Sequence, residues 1–211
     1  MIKSIVAAIA ATGLLLSSGA KAKTFKADPD RTIYITGKID LGILGVASKL
    51  VKLSSENRLP IYMVINSPGG GVLAGLQVIS AMKVANRRGV TIKCFVPVLA
   101  ASMAFQIFAN CNERYVLSQS LLLWHPMKIS VLGSMDSDEL LYQGASMRAM
   151  ETGMNQKLIE VLQISPALFY YHYRHETMWT AAVLRKVSPN FIKIISDFKN
   201  VNNPFDLGDQ Q

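Results

Sequence analysis

The sequence predicts an α/β fold, in which short buried strands alternate with amphipathic helices. A continuous apolar run at 61–66 has the length and composition of a strand that is buried on both faces, and a further strand is predicted at 90–96. Between them, residues 72–88 carry apolar side chains at helical spacing, and this pattern stops at Gly89. The alternation favours β-α units over a bundle of helices.

The first 22 residues have the pattern of a secretory signal peptide. Lys3 supplies a positive charge, positions 5–16 are almost entirely apolar, and Ala-Lys-Ala at 20–22 offers a cleavage site of the A-x-A type. The apolar stretch is shorter than the roughly 20 residues of a membrane span, and an uncleaved anchor is the alternative. Cleavage after Ala22 would leave residues 23–211 as one domain, in the periplasm or outside the cell.

The predicted elements of this domain are short and closely spaced. Strands are expected where β-branched, aromatic or continuous apolar residues lie between breakers, at 32–36, 61–66, 90–96, 114–117 and 121–124. Helices are expected where apolar residues recur at helical spacing, at 40–57, 72–88, 100–110 and from Pro166 onward. A glycine-rich sharp turn at 67–71 is predicted to separate the second strand from its helix.

One further segment, 134–163, is long, amphipathic and rich in methionine. Asp136 and Asp138 at its start suit the N-terminus of a helix. A helix of roughly 25 residues is nearly 40 Å long, which exceeds what a compact domain needs. We therefore expect this helix to project from the domain or to pack against another subunit.

Charge and cysteine content give weaker indications. The chain has 22 Lys and Arg against 14 Asp and Glu, a net charge of +8. A basic surface can attract nucleic acid, but no aromatic residues interleave the densest basic group, at 83–93, so no nucleic-acid partner is expected. Cys94 and Cys111 form either a disulfide, worth about 3 kcal/mol, or two buried thiols. They lack metal-site spacing and a histidine pair, and we expect neither a metal nor another cofactor.

Three segments carry residues that suit hydrolytic chemistry. Ser102 follows an apolar run and opens a helix, where free backbone N–H groups can stabilise a developing oxyanion, although a helix N-cap is the simpler interpretation. The glycines of 67–71 can present N–H groups to an anion, but no complete phosphate-loop pattern is present. His125 stands at a strand end, where open α/β sheets place their sites. Each signal is weak when it is taken alone.

Taken in order, the segments IYMVINSPGGGVLAGLQVISAMK, VLAASMAFQIFA and RYVLSQSLLLWHPM resemble the Clp proteolytic-subunit family of serine peptidases. The resemblance runs from about Ile33 to Ala181. It implies the ClpP/crotonase fold, a spiral of β-β-α units with a projecting handle helix, here 134–163. It also implies a homo-oligomer that cleaves peptides or unfolded proteins.

The resemblance also implies a role for each site residue. Ser102 would be the nucleophile and His125 its general base. The backbone N–H groups of the oxyanion hole would come from Gly69, Gly70 and Met103.

Glu176 is where the sequence departs from the family, because an aspartate completes the Ser–His triad there. The longer side chain displaces the carboxylate, to which such chemistry is sensitive. Three alternatives therefore stay open: a weakened or inactive oligomeric scaffold, a Ser–Lys mechanism that uses Lys128, and a crotonase-type enzyme acting on acyl-thioesters. Export would separate the protein from the family's cytoplasmic unfolding ATPases, so such a partner is not expected.

Overall fold

The computed structural model describes residues 24–128, 134 and 136–199, so the predicted leader at 1–22 lies outside it. The strands within these ranges are β1 (Thr24–Lys26), β2 (Thr32–Ile39), β3 (Ile61–Gly70), β4 (Ile92–Val96), β5 (Leu99–Ala101), β6 (Glu113–Val116), β7 (Leu121–Leu123), β8 (Met178–Thr180), β9 (Lys193–Ile194) and β10 (Asp197–Lys199). The helices are α1 (Leu44–Glu56), α2 (Val72–Arg87), α3 (Met103–Ala109), α4 (Ser137–Leu162), α5 (Pro166–Arg174) and α6 (Ala181–Val187).

The main sheet is built around β3. Strand β2 pairs in parallel along one side of β3, while the other side pairs first with β4 and then, at Ser67 and Ala100, with β5. Strand β4 continues to β6 and β9, and β5 continues to β7 and the antiparallel β8. The groups β4–β5–α3 and β6–β7–α4 are therefore β-β-α units whose first strands pair with each other and whose second strands do likewise. The α/β prediction is confirmed.

The interior of β3 is buried on both faces, as its continuous apolar run predicts. Met63 and Ile65 pack into the main core beneath the helices. Val64 faces a smaller cluster on the opposite side, which includes Phe25 and Phe95. This double burial fixes the path of β3, and the strand leads directly to the proposed site.

The predicted sharp turn at 67–71 was wrong, because β3 continues to Gly70. Lys38 and Ile39 of β2 pair with Gly69 and Gly70, so the sheet ladder extends past the point where the glycines suggested a break. Gly70 has a φ of +150°, and a Cβ there would overlap the carbonyl oxygen of Ile39. The glycines thus permit a close approach of two strands instead of a reversal of the chain.

Helix α4 corresponds to the helix predicted at 134–163. The Asp136 carboxylate accepts a hydrogen bond from the Glu139 N–H at 2.7 Å and caps its start. The C-terminal half is buried through Met154, Asn155, Leu158 and Leu162. The N-terminal half exposes Leu140, Leu141 and Tyr142. The helix is therefore anchored at one end and projects at the other.

A disulfide joins Cys94 of β4 to Cys111, which follows α3, with the two Cα atoms 6.0 Å apart. Both residues are buried. The bond connects the C-terminal end of α3 to the central sheet. No helix within the described ranges has the length and apolar character needed to cross a membrane.

Candidate active site

Ser102 lies at the junction of β5 and α3. Its N–H donates to the carbonyl of Leu123 in β7 at 2.8 Å, and its backbone has a φ of +54° and a ψ of −125°. Such a conformation costs a residue with a Cβ about 1–3 kcal/mol and is typical of functional sites. The hydroxyl makes no capping hydrogen bond to α3. Ser102 therefore occupies the N-cap position that the simpler interpretation gave it, but its side chain does not cap the helix.

A single cavity brings Ser102 and His125 together with Gly70 and Met103. The neighbours of His125 in the chain line this cavity too, namely Trp124, Met127 and Lys128. The sheet explains why distant segments meet there. Because β5 and β7 pair in parallel with Ala101 opposite Leu123, the residues that follow these two strands emerge side by side.

Two of the three predicted oxyanion donors line the cavity. Met103 is the first residue of α3, where backbone N–H groups have no acceptor within the helix and the helix dipole favours negative charge. Gly70 lines the cavity from the end of β3. The Gly69 N–H instead donates to the Ser67 hydroxyl at 3.0 Å. Gly69 therefore contributes close packing against the serine rather than a free donor.

The His125 ring is held by the backbone of its own segment. Its Nδ1 lies 2.7 Å from the carbonyl oxygen of Pro126. A carbonyl oxygen can only accept, so Nδ1 is the donor in this contact, and in the neutral ring the lone pair is then on Nε2. This is the tautomer that a general base requires.

Glu176 lies just after α5, with a φ of +46°. Its carboxylate is 3.3 Å from the Lys128 ammonium, and the two side chains are 45% and 70% exposed. Within the described part of the chain, no hydrogen bond joins Glu176 to His125. A lysine that acts as a base must give up its charge, which burial promotes, so the exposure and pairing of Lys128 do not favour the Ser–Lys alternative.

A second carboxylate that the sequence did not single out lies closer to the histidine segment. Glu151 of α4 accepts hydrogen bonds from the Met127 N–H, at 2.8 Å, and from the Tyr173 hydroxyl. Burial, and then the bond to Glu151, raise the pKa of Tyr173 well above its ordinary value. One turn further along α4, Asn155 accepts from the Trp124 indole N–H at 2.6 Å. In the sequence, the signal that could have pointed to these two residues was the i, i+4 spacing of Glu151 and Asn155 in the predicted helix.

The described residues contain no cluster of three or more His, Cys, Asp or Glu side chains that could hold a metal ion. What the cavity offers is a serine hydroxyl, an imidazole and backbone N–H groups. This set of groups suits acyl transfer.

Comparison with known proteins decides the family, because the profile described as Clp protease matches residues 10–179. The chain belongs to the Clp protease family. The family and the fold that the resemblance implied are thus confirmed. The matched range begins inside the predicted leader.

The curated relatives in this family include proteolytic subunits of ATP-dependent Clp proteases. Subunit 2 from Prochlorococcus marinus (strain MIT 9312) is 38% identical over 100 residues, which are 46% of this chain and 48% of that protein. The subunit from Ligilactobacillus salivarius (strain UCC118) is 33% identical over 101 residues, 46% and 49% of the two chains. The one from Lactococcus lactis subsp. cremoris (strain SK11) is 32% identical over 114 residues, 52% and 56%. The chain thus matches about half the length of these relatives.

Proposed function

We propose that this protein is a serine peptidase in which Ser102 is the nucleophile and His125 the general base. The observation that carries the proposal is the shared cavity. A serine in a strained backbone conformation and a histidine held through Nδ1 line this cavity together with Gly70 and Met103. Membership of the Clp protease family supports the same chemistry.

The reaction follows from these groups. As the Ser102 oxygen attacks the peptide carbonyl carbon, His125 Nε2 takes the hydroxyl proton. The N–H groups of Met103 and Gly70 stabilise the negative charge that develops on the carbonyl oxygen. His125 then gives its proton to the leaving amine, and water hydrolyses the acyl-enzyme by the same transfers in reverse.

The peptide is expected to place an apolar side chain beside the scissile bond. A second cavity shares Val72 and Met127 with the catalytic one, and its walls include Leu73, Met147 and Met150. These side chains favour an apolar group, although Lys38 and Asp40 also line this cavity and give it a polar side. Peptides or unfolded proteins present such residues to the site.

We propose that Glu176 is not needed to orient His125, because the Pro126 carbonyl already accepts from Nδ1. Exposed ion pairs such as Lys128–Glu176 contribute about 0–1 kcal/mol, so Lys128→Ala releases Glu176 at little cost. If the carboxylate completes a triad, Lys128→Ala speeds acylation of Ser102 and Glu176→Ala slows it strongly. We expect the rate of Ser102 acylation in both variants to stay within about threefold of the wild-type rate.

Labelling with a fluorophosphonate probe tests the nucleophile directly. The wild type should be labelled and Ser102→Ala should not; equal labelling of the two would refute the assignment. Thioester hydrolysis that survives Ser102→Ala would favour the crotonase-type alternative. Loss of labelling in Lys128→Ala with retention in His125→Ala would favour the Ser–Lys mechanism.

A scaffold without activity is the second candidate, because the Glu176 side chain is directed to Lys128 rather than to the histidine. It predicts intact oligomers, no probe labelling and no peptide cleavage. The exposed apolar residues on the projecting half of α4 support a homo-oligomer under either candidate.

We further propose that the protein is exported to the periplasm or secreted, and therefore works without a cytoplasmic unfolding ATPase. The leader pattern at 1–22 and the Cys94–Cys111 disulfide, a bond that persists in oxidising compartments, support export. N-terminal sequencing of the protein from fractionated cells should begin at Lys23. A cytoplasmic protein that begins at Met1 would contradict export, and a membrane fraction that begins there would indicate an anchor.

A further inference from the structure

The Pro126–Met127 peptide group is hydrogen-bonded at both ends. Its carbonyl oxygen lies 2.7 Å from His125 Nδ1, and its N–H donates to the Glu151 carboxylate at 2.8 Å. A trans peptide group is planar, and its C=O and N–H point in opposite directions. The groups therefore form one chain, from the Glu151 carboxylate through the peptide to the imidazole, with Nε2 at its far end.

The Glu151 end of this chain is fixed by neighbouring elements. Tyr173 of α5 donates its hydroxyl to the same carboxylate oxygen, and its ring packs against Trp124 with the ring centroids 6.3 Å apart. Both aromatic side chains are buried. Asn155 holds the Trp124 indole from the next turn of α4, so two side chains on one face of that helix hold the segment that carries His125.

We propose that Glu151 is a positioning residue for His125 and acts through the Pro126–Met127 peptide group, in the place of a carboxylate that contacts the ring. An anion that accepts from the peptide N–H polarises the group and strengthens its carbonyl as an acceptor. The carbonyl then holds Nδ1–H more firmly and stabilises the imidazolium that forms when Ser102 loses its proton. This role rests on the proposed function, and it assigns the carboxylate to the handle helix.

The other titratable groups near this chain can be named for the described residues. Tyr173 faces Glu151 from α5, with the ring of Tyr170 beside it. Lys128 and Glu176 form an exposed pair beside the cavity. Glu151 is the carboxylate hydrogen-bonded to the peptide that the histidine contacts. Its charge should therefore affect the titration of the ring more than that of a carboxylate elsewhere on α4.

The test compares Glu151→Gln with Glu160→Gln, because both remove one negative charge from α4 and keep the size of the side chain. Glu160 pairs only with Lys157 in the described structure, and its side chain is 56% exposed. The rate of fluorophosphonate labelling is measured against pH. In Glu151→Gln we expect the midpoint to move to lower pH by about 0.3–1 unit, because loss of the anion disfavours the imidazolium; in Glu160→Gln it should not move.

Two further variants separate position from charge. Glu151→Ala also loses the acceptor, and the maximal rate should fall about tenfold or more, since small misplacements of catalytic groups have such effects. The glutamine should restore much of that rate but leave the midpoint shifted. Tyr173→Phe removes one donor and should lower the rate less than Glu151→Ala. A purely structural role would lower the rate in every variant without moving the midpoint.

A second readout does not depend on activity. The chain has 3 histidines, so the NMR signals of the His125 ring can be assigned with His125→Gln and titrated in the folded wild type and in Glu151→Gln. If the fluorophosphonate probe does not label the wild type, the peptidase is refuted. A ring midpoint that is still lower in Glu151→Gln than in the wild type would then leave the role of Glu151 standing. If the wild type is labelled, but Glu151→Gln has the same ring midpoint and the same rate midpoint as the wild type, the role of Glu151 is refuted.

Discussion

Gly69 offers the sharpest test of how the site is built, because a single methyl group there meets the nucleophile. A Cβ on Gly69 would lie 2.6 Å from the Ala101 carbonyl oxygen, 2.6 Å from the Ser102 Cβ and 2.9 Å from the Met103 nitrogen. Two of these are backbone atoms, so the strand and the start of α3 must separate. The φ of +94° is also one that an alanine rarely adopts.

The cost of Gly69→Ala can be worked from these two effects. A left-handed backbone costs a residue with a Cβ about 1–2 kcal/mol, and overpacking a tight contact costs about 1–3 kcal/mol. We therefore expect the free energy of unfolding to fall by about 2–5 kcal/mol. Labelling of Ser102 should fall as well, because the displaced atoms belong to the nucleophile and to an oxyanion donor.

Gly153→Ala is the matched control. Gly153 lies within α4, and no heavy atom is within 4 Å of the Cβ that alanine would add. Alanine is the better helix former, so this variant should gain up to about 1 kcal/mol and be labelled as fast as the wild type. Urea unfolding followed by tryptophan fluorescence, at one protein concentration, measures the free energy of unfolding of both variants. A Gly69→Ala protein within about 0.5 kcal/mol of the wild type and fully labelled would refute the close packing described for the site.

Three other predictions test stability and assembly. Replacing Cys94 and Cys111 by alanine should lower the free energy of unfolding by about 3 kcal/mol, as expected for a bond that closes a loop of this length, and urea unfolding measures it. The hydrogen bond from Tyr115, together with those from Lys193 and Lys93, lowers the pKa of Glu113 to about 2 from an ordinary 4.5. The stabilisation that these bonds give is therefore present above pH 4.5 and lost as the pH falls toward 2, by about 1–3 kcal/mol. Glu113→Gln should show a flatter loss of stability at acid pH in the same assay. Leu141→Asp, on the exposed half of α4, should lower the mass measured by sedimentation, and an unchanged mass would place the subunit contact elsewhere.

Much of the fold follows from local sequence patterns. The apolar run at 61–66 predicts a strand that is buried on both sides, and Met63 and Val64 indeed face opposite clusters. The helix predicted at 134–163 begins and ends within a few residues of α4. The incorrect prediction of a turn at 67–71 has a physical explanation. Glycine occurs both where a chain reverses and where two strands approach closely, and only the pairing with β2 distinguishes the two cases.

The site was harder to derive, because its geometry depends on register. Nothing local to Ser102 or His125 says that Ala101 lies opposite Leu123, yet this pairing sets the two side chains at neighbouring strand ends. The prediction that Ser102 and His125 share one site came from the order of three motifs along the chain, because local patterns could not give it. For Gly69 the same order predicts a donor, whereas the structure directs its N–H to Ser67.

For the carboxylate, the motif gives Glu176, and this assignment stays a prediction. A motif compares side chains at fixed positions, and it assigns Glu176 because a carboxylate stands where the family has one. The Pro126 carbonyl that contacts His125 belongs to the backbone and has no motif of its own. Proline nevertheless influences this arrangement, because its ring fixes φ and removes the backbone N–H. Met127 therefore has the first backbone N–H after His125, and this N–H donates to Glu151. A His-Pro pair, read together with an acidic residue on the helix that covers it, is therefore the pattern by which the same arrangement could be sought in other sequences.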